Sequence, residues 1–137
     1  MKTILAILLI ISINNSCGTK KNILIDVKNV TKIEIINKTK KNFIVNSISF
    51  SDKKNIGLLI NQTNNLRLLD KEVNSKSNFG YFDISIMLND GSVMGFDVLH
   101  TEYSGVVIVN IQNSERYRND KLNDLIVVLF REYSLNF

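Results

Sequence analysis

Residues 79–100 read FGYFDISIMLNDGSVMGFDVLH. Two segments rich in β-branched and aromatic residues, 79–88 and 92–100, flank the tripeptide Asn89-Asp90-Gly91. Such segments favour strands, and Asp-Gly suits a tight turn because these residues accept the positive φ values that others resist. This stretch therefore predicts a β-hairpin in an antiparallel sheet.

Three further segments read as strands. Val30–Asn37 carries a short aliphatic run, and Phe43–Phe50 alternates apolar and polar residues after a polar turn at 37–42. These two predict a second hairpin. The β-branched segment Val106–Ile111 follows a break at Gly105 and predicts another strand.

Two segments have helical spacing. Ser51 or Asp52 can cap a helix whose apolar residues Ile56, Leu59 and Ile60 lie at i, i+3 and i+4. Asn119 or Asp120 can cap a final helix with a broad apolar stripe formed by Leu122, Leu125, Ile126, Leu129 and Tyr133, widened by Val127, Val128 and Phe130.

The order β-β-α-β-β-β-α predicts an α+β fold, in which two helices pack on a small antiparallel sheet. Segment 64–78 has no clear pattern, and residues 66–69 fit either a strand or a helix end.

Composition limits the class of protein. The chain has 137 residues, 45% of them hydrophobic, with one Cys, one His and a net charge of +4. The apolar fraction excludes a disordered chain, and one cysteine excludes a disulfide framework or a cysteine zinc cluster. The length and the lack of an internal linker favour a single folded domain.

The N-terminus has the proportions of a signal peptide. A short positive start, Met1–Thr3, precedes an apolar run from Ile4 to Ile13 that only Ser12 interrupts. As a helix, this run rises roughly 15 Å, about half the thickness of a bilayer core, so it is too short to span one stably. It is typical of the apolar core of a signal peptide.

Asn14-Asn15-Ser16-Cys17 follows that core, and a small residue directly before a lone cysteine resembles a bacterial lipoprotein signal. The resemblance implies cleavage after Ser16 and a diacylglyceryl group on the Cys17 thiol, with an acylated new amino terminus. Asn14 and Asn15 stand where that family usually has an aliphatic and a small residue. An ordinary secretory signal followed by a free cysteine, or an uncleaved segment, are the alternatives.

The expected organisation is therefore a signal peptide at 1–16, a lipidated tether at 17–28 and a single α+β domain at 29–137. The tether lacks a periodic apolar face, so we expect the fold not to need the first 28 residues. The expected location is the bacterial cell envelope, with the protein anchored to a membrane and facing the extracytoplasmic side.

Charge is uneven along the chain, and residues 20–54 carry nine Lys against three acidic residues. Export argues against a nucleic-acid partner. The first hairpin is instead a candidate for contact with anionic lipid through Lys38, Lys40 and Lys41, and a solvated basic face is the alternative.

The sequence indicates no catalytic residue, metal ligand or cofactor motif. The lone His100 lies near Asp97, Glu102 and Tyr103, but one imidazole without a thiolate makes a weak metal site. Asp83, Asp90 and Asp97 are spaced by seven, and paired-carboxylate hydrolysis would require two of them to converge.

The sequence thus favours a non-catalytic binding or structural domain, with membrane lipid and either an envelope protein or a small ligand as partners. The alternative is an envelope hydrolase or metal-dependent enzyme that uses His100 and nearby carboxylates.

Overall fold

The computed structural model describes residues 23–39, 45–69, 79–101 and 105–136. Seven strands and two helices lie within these ranges. In chain order the elements are β1 (Val30–Asn37), β2 (Ser47–Phe50), α1 (Lys53–Asn64), β3 (Arg67–Leu68), β4 (Phe79–Leu88), β5 (Val93–Thr101), β6 (Gly105–Asn110), β7 (Arg116–Arg118) and α2 (Asp120–Leu135). A short 3-10 turn, Val27–Asn29, precedes β1.

The strands form one sheet in the order β2-β1-β4-β5-β6-β7-β3, and every neighbouring pair is antiparallel. An α+β fold with an antiparallel sheet and two helices is therefore confirmed. The predicted element order is wrong in detail because β3 and β7 are additional strands. Each has only two or three residues, too few for an alternating pattern, and they pair with each other at one edge of the sheet.

The hairpin predicted around Asn89-Asp90-Gly91 joins β4 to β5. Gly91 has a φ of 83°, which requires glycine or a similarly tolerant residue. The Asp90 carboxylate accepts hydrogen bonds from the Ser92 backbone N–H at 2.9 Å and from its hydroxyl at 2.6 Å, and these fix the turn. β1 has its predicted bounds, whereas β2 begins only at Ser47.

Both helices pack on one face of the sheet. Asp52 caps α1 and Asn119 caps α2, each through a side-chain oxygen that accepts a backbone N–H of the first turn. Phe82 of β4 stacks on Phe130 of α2, with ring centroids 5.3 Å apart. Four of the eight residues of the predicted stripe of α2 are buried and three are partly buried, but Val128 is 46% exposed and does not belong to the stripe.

No described helix packs on the other face of the sheet, which we call the open face, although Val107 on that face is buried. Side chains alternate between the two faces along each strand, so Ile84 and Phe96 are buried under the helices while Asp83 and Asp97 lie on the open face. No helix in the described part of the chain combines the length and the apolar character needed to cross a bilayer.

The packed domain begins before the boundary predicted at residue 29. Ile25 is buried in the core, and Ile23 packs against it. The Ile25 backbone N–H donates to Asn64 Oδ1 at 2.8 Å, and Asn64 Nδ2 donates to the Ile25 carbonyl at 2.9 Å. These paired bonds fasten the incoming chain to the end of α1, so residues 23–28 are part of the fold rather than of a tether.

Candidate functional site

Of the residues predicted to have a role, only some lie within the described ranges. Cys17 and Ser16, together with Lys40 and Lys41, fall outside them, as do Glu102 and Tyr103 beside His100. Lys38, Asp83, Asp97 and His100 are described, and their positions bear on the candidate chemistry.

Lys38, Asp83 and Asp97 form a charged cluster on the open face. Asp83 of β4 lies directly opposite Asp97 of β5 in the strand register. Lys38 follows β1, where its backbone N–H donates to the Tyr81 carbonyl at 2.9 Å. Its ammonium group forms an ion pair with Asp83 and lies 3.7 Å from Asp97 Oδ1. Two of the three carboxylates spaced by seven thus converge, while Asp90 remains in the hairpin turn.

The electrostatics of the cluster follow from these contacts. Partial burial, and then a hydrogen bond to Asp83, raise the pKa of the Asp97 carboxyl, against the opposing pull of the Lys38 charge. Partial burial lowers the pKa of Lys38, but its hydrogen bond and attraction to Asp83, with the charge of Asp97, outweigh this and leave the pKa raised. Lys38 therefore stays protonated between two acidic groups.

This arrangement changes the interpretation of Lys38. With both carboxylates ionised, the cluster carries one positive and two negative charges, so it presents no excess positive charge to anionic lipid. Lys38 is a partner of carboxylates on the sheet, whereas the expected lipid contacts of Lys40 and Lys41 stay predictions.

His100 and Asp97 do not come together. They are three residues apart on β5, so their side chains leave opposite faces of the strand. His100 is exposed, lies opposite Val106 of β6, and packs edge-on against the Tyr81 ring with centroids 5.5 Å apart. In the described ranges, no three His, Cys, Asp or Glu side chains are grouped so that they could share a metal ion.

His100 instead borders a cavity of about 500 Å³ between one end of the sheet and α2. We call it the sheet-end cavity. Its described lining residues are Thr39 after β1, Tyr81 and Phe82 of β4, His100 of β5, Val106 of β6, and Asn123, Val127 and Arg131 of α2.

Three features of the fold shape this cavity. Asn123, Val127 and Arg131 are spaced by four, so they form one row along α2. Phe82, held against Phe130, provides an apolar wall. The pairing of β4 with β5 is irregular between Gly80 and Phe82, and the extra residue of this bulge is Tyr81, which lines the cavity beside His100.

A second groove, of about 870 Å³, lies where the end of α1, β3, β7 and the start of α2 meet. Its lining is mostly polar, and several of these groups are bonded to one another. Asn119 Nδ2 donates to the Gln62 carbonyl at 2.8 Å, and Arg118 lies 3.5 Å from Asp120. Leu68 and Leu69 are the only apolar residues among the ten described residues that line this groove. Four of the eight that line the sheet-end cavity are Tyr, Phe or Val, so the sheet-end cavity better matches a small-molecule site.

The sequence did not predict this cavity. The spacing of Asn123 and Arg131 on a predicted helix was a usable signal, since it places two polar groups on one line. The irregularity at Tyr81 left no such signal, because a bulge depends on the pairing of two strands.

Comparison of the chain with protein-family models, with curated proteins and with solved structures finds no match.

Proposed function

We propose that this protein is a lipid-anchored lipoprotein of the bacterial cell envelope, whose single α+β domain binds a ligand without catalysis. The observation that carries the proposal is the apolar run Ile4–Ile13 followed by Ser16-Cys17. A free thiol has no obvious purpose in an exported protein with one cysteine, whereas acylation uses it.

Because the packed domain begins at residue 23, only a short connection separates it from the proposed lipid anchor at Cys17. Only residues 18–22 separate Cys17 from Ile23, the first described residue. Even fully extended, this connection reaches about 20 Å. A domain acylated at Cys17 is therefore held close to the lipid headgroups.

The position of the sheet-end cavity supports a binding role. The chain enters beside the start of β1, and the cavity lies beyond the other end of that strand, next to Thr39. The eight residues of β1 span about 26 Å. An anchor before Ile23 leaves the cavity at the far end of the sheet, where a ligand outside the membrane can reach it.

The same geometry removes Lys38 from lipid contact in this proposal. Lys38 lies beyond the far end of β1, and the attraction of a charged surface decays over roughly 8 Å at physiological salt. The acyl groups are then the anchor.

Replacing the cysteine tests the anchor. We expect Cys17→Ser to leave an uncleaved precursor or to release the protein from the membrane fraction, because the acyl chains are lost. Intact-mass measurement of the wild type should show a chain that begins at Cys17 and carries an added lipid mass.

Thr19→Ser is the matched control, since it alters a nearby hydroxyl residue and keeps the cysteine. It should behave like the wild type in both assays. A wild-type mass without any addition on Cys17 contradicts the proposal. So does a Cys17→Ser variant that is cleaved after Ser16 and still retained in the membrane fraction as well as the wild type.

A further inference from the structure

We propose that the sheet-end cavity binds a molecule that joins a carboxylate to a small apolar body. The carboxylate is held by Arg131 and Asn123, and the apolar body lies against Tyr81, Val106 and Val127. This inference rests on the binding role proposed above, and it does not depend on the lipid anchor.

The charge of the lining points to an anion. Arg131 supplies a guanidinium group, and none of the described lining residues has a carboxylate. Neither the Arg131 nor the Asn123 side chain makes a hydrogen bond or ion pair with another described residue. The acidic neighbour of Arg131 on α2 is Glu132, and adjacent helix positions do not face each other. The guanidinium group is thus available to a ligand, and its planar donors match a carboxylate.

The rest of the cavity fits an apolar body. Phe82, Val106 and Val127 offer hydrocarbon surface, and the Tyr81 ring is held edge-on by His100. Small-molecule sites are typically apolar clefts of roughly 300–1,000 Å³ with a few polar groups that orient the ligand. At about 500 Å³ the cavity has this size and this division between polar and apolar lining.

Asn37, which lies opposite Phe82 in the register of β1 and β4, is incompletely hydrogen-bonded. The side-chain oxygen of Asn37 accepts hydrogen bonds from the Thr39 backbone N–H at 2.9 Å and from its hydroxyl at 2.7 Å. Asn37 Nδ2 is buried and has no partner among the described residues. Because Thr39 uses its hydroxyl proton on Asn37, its oxygen can still accept a hydrogen bond from a group in the cavity.

The test compares three probes of similar shape: benzoate, neutral benzamide and cationic benzylammonium. Binding to the full chain in detergent is measured by ligand-observed NMR, with detergent alone as a blank. We expect benzoate to bind at least about tenfold more tightly than benzamide or benzylammonium. Neither of these has a carboxylate that could accept a charge-assisted hydrogen bond from Arg131.

Two variants on the same helix locate the binding site. Arg131→Gln should weaken benzoate binding about tenfold and change benzamide binding by less than about twofold. Lys121→Gln, which removes an exposed positive charge outside the cavity, should change neither by more than about twofold. Circular dichroism and urea denaturation confirm that both variants are folded.

A carboxylate of this kind can belong to a free acid or to the C-terminus of a peptide. Acetyl-Ala-Phe and its C-terminal amide separate these sources: tighter binding of the peptide acid than of benzoate assigns the cavity to a chain end, and the reverse assigns it to a free acid.

Equal binding of benzoate and benzylammonium overturns the proposal, as does an equal effect of Arg131→Gln and Lys121→Gln. The intact mass of the same sample reports separately on Cys17, so failure of the anchor and failure of the cavity are distinguishable.

Discussion

At Asp97, partial burial raises the pKa of the carboxyl group, while the charge of Lys38 lowers it. The Asp97 carboxyl group is partly buried next to Asp83, and these two effects raise its pKa despite Lys38. The raised pKa means that the folded state favours the protonated form. The folded state therefore loses stability as the pH rises from 3.8, the ordinary value, through the raised pKa of Asp97.

Asp97→Asn should therefore raise the free energy of unfolding at pH 7, and this gain should shrink as the pH falls towards 3.5. The asparagine amide can still donate to Asp83, but it carries no charge to be ionised. Urea denaturation at both pH values measures the difference between variant and wild type.

Asp90→Asn gives a control of opposite sign. Hydrogen bonds from the Ser92 hydroxyl and backbone lower the pKa of Asp90, so its contribution is present at neutral pH and lost as the pH falls through the lowered pKa. Removing it should destabilise the protein at pH 7. If both variants shift the free energy of unfolding in the same direction at pH 7, then the ionised Asp97 carboxylate does not destabilise the folded state.

Among the elements, α2 shows where the periodicity of a sequence is informative and where it misleads. Ile126 is fully buried, whereas Val128, two positions on, is 46% exposed. Two residues correspond to about 200° around a helix, so the two side chains point in nearly opposite directions. The predicted stripe was drawn too wide because a β-branched residue can occupy a solvent-facing helical position.

Ile126→Ala should lower the free energy of unfolding by about 2–5 kcal/mol, since it removes buried volume that the core cannot refill. Val128→Ala, the matched change on the exposed side, should alter it by less than about 0.5 kcal/mol. Chemical denaturation of both variants gives the comparison. Similar losses for the two would show that α2 is rotated about its axis, so that Val128 is buried as well.

Elements with local signals were predictable from the sequence, and those that need a distant partner were not. The β4–β5 hairpin follows from Asp90-Gly91, and the start of α2 follows from Asn119. By contrast, β3 exists only because β7 lies beside it, and neither is long enough to show a pattern. The sheet-end cavity has the same dependence, since four strand ends or their adjoining residues must meet α2 to form it.

At the scale of the whole molecule, the domain extends to residues that looked like a tether. Ile25 lies in the core and exchanges two hydrogen bonds with Asn64, while its neighbour Leu24 is 83% exposed. The distance between the fold and Cys17 is therefore shorter than the sequence indicated. The expectation that the fold does not need its first 28 residues gives way to one in which residues 23–28 contribute stability.

Ile25→Ala should lower the free energy of unfolding by about 2 kcal/mol or more, because a buried aliphatic side chain is truncated. Leu24→Ala should have an effect below about 0.5 kcal/mol, since that side chain is already in solvent. Urea denaturation of the full chain distinguishes them. Equal and small effects would indicate that residues 23–28 belong to the tether and do not stabilise the fold.

The strand order has a consequence for how the domain is completed. β3 pairs with β7, although Arg67 and its partner Arg118 are about fifty positions apart in the chain. β1 likewise pairs with β4 across a comparable separation, so two of the six strand pairings join segments distant in the chain, while the other four join consecutive strands. Each of these two distant pairings closes a large loop before its own contacts are gained, which slows its formation. A nascent chain that ends at residue 115 lacks β7 altogether. β3 therefore cannot join the sheet until residues 116–118 have been synthesised.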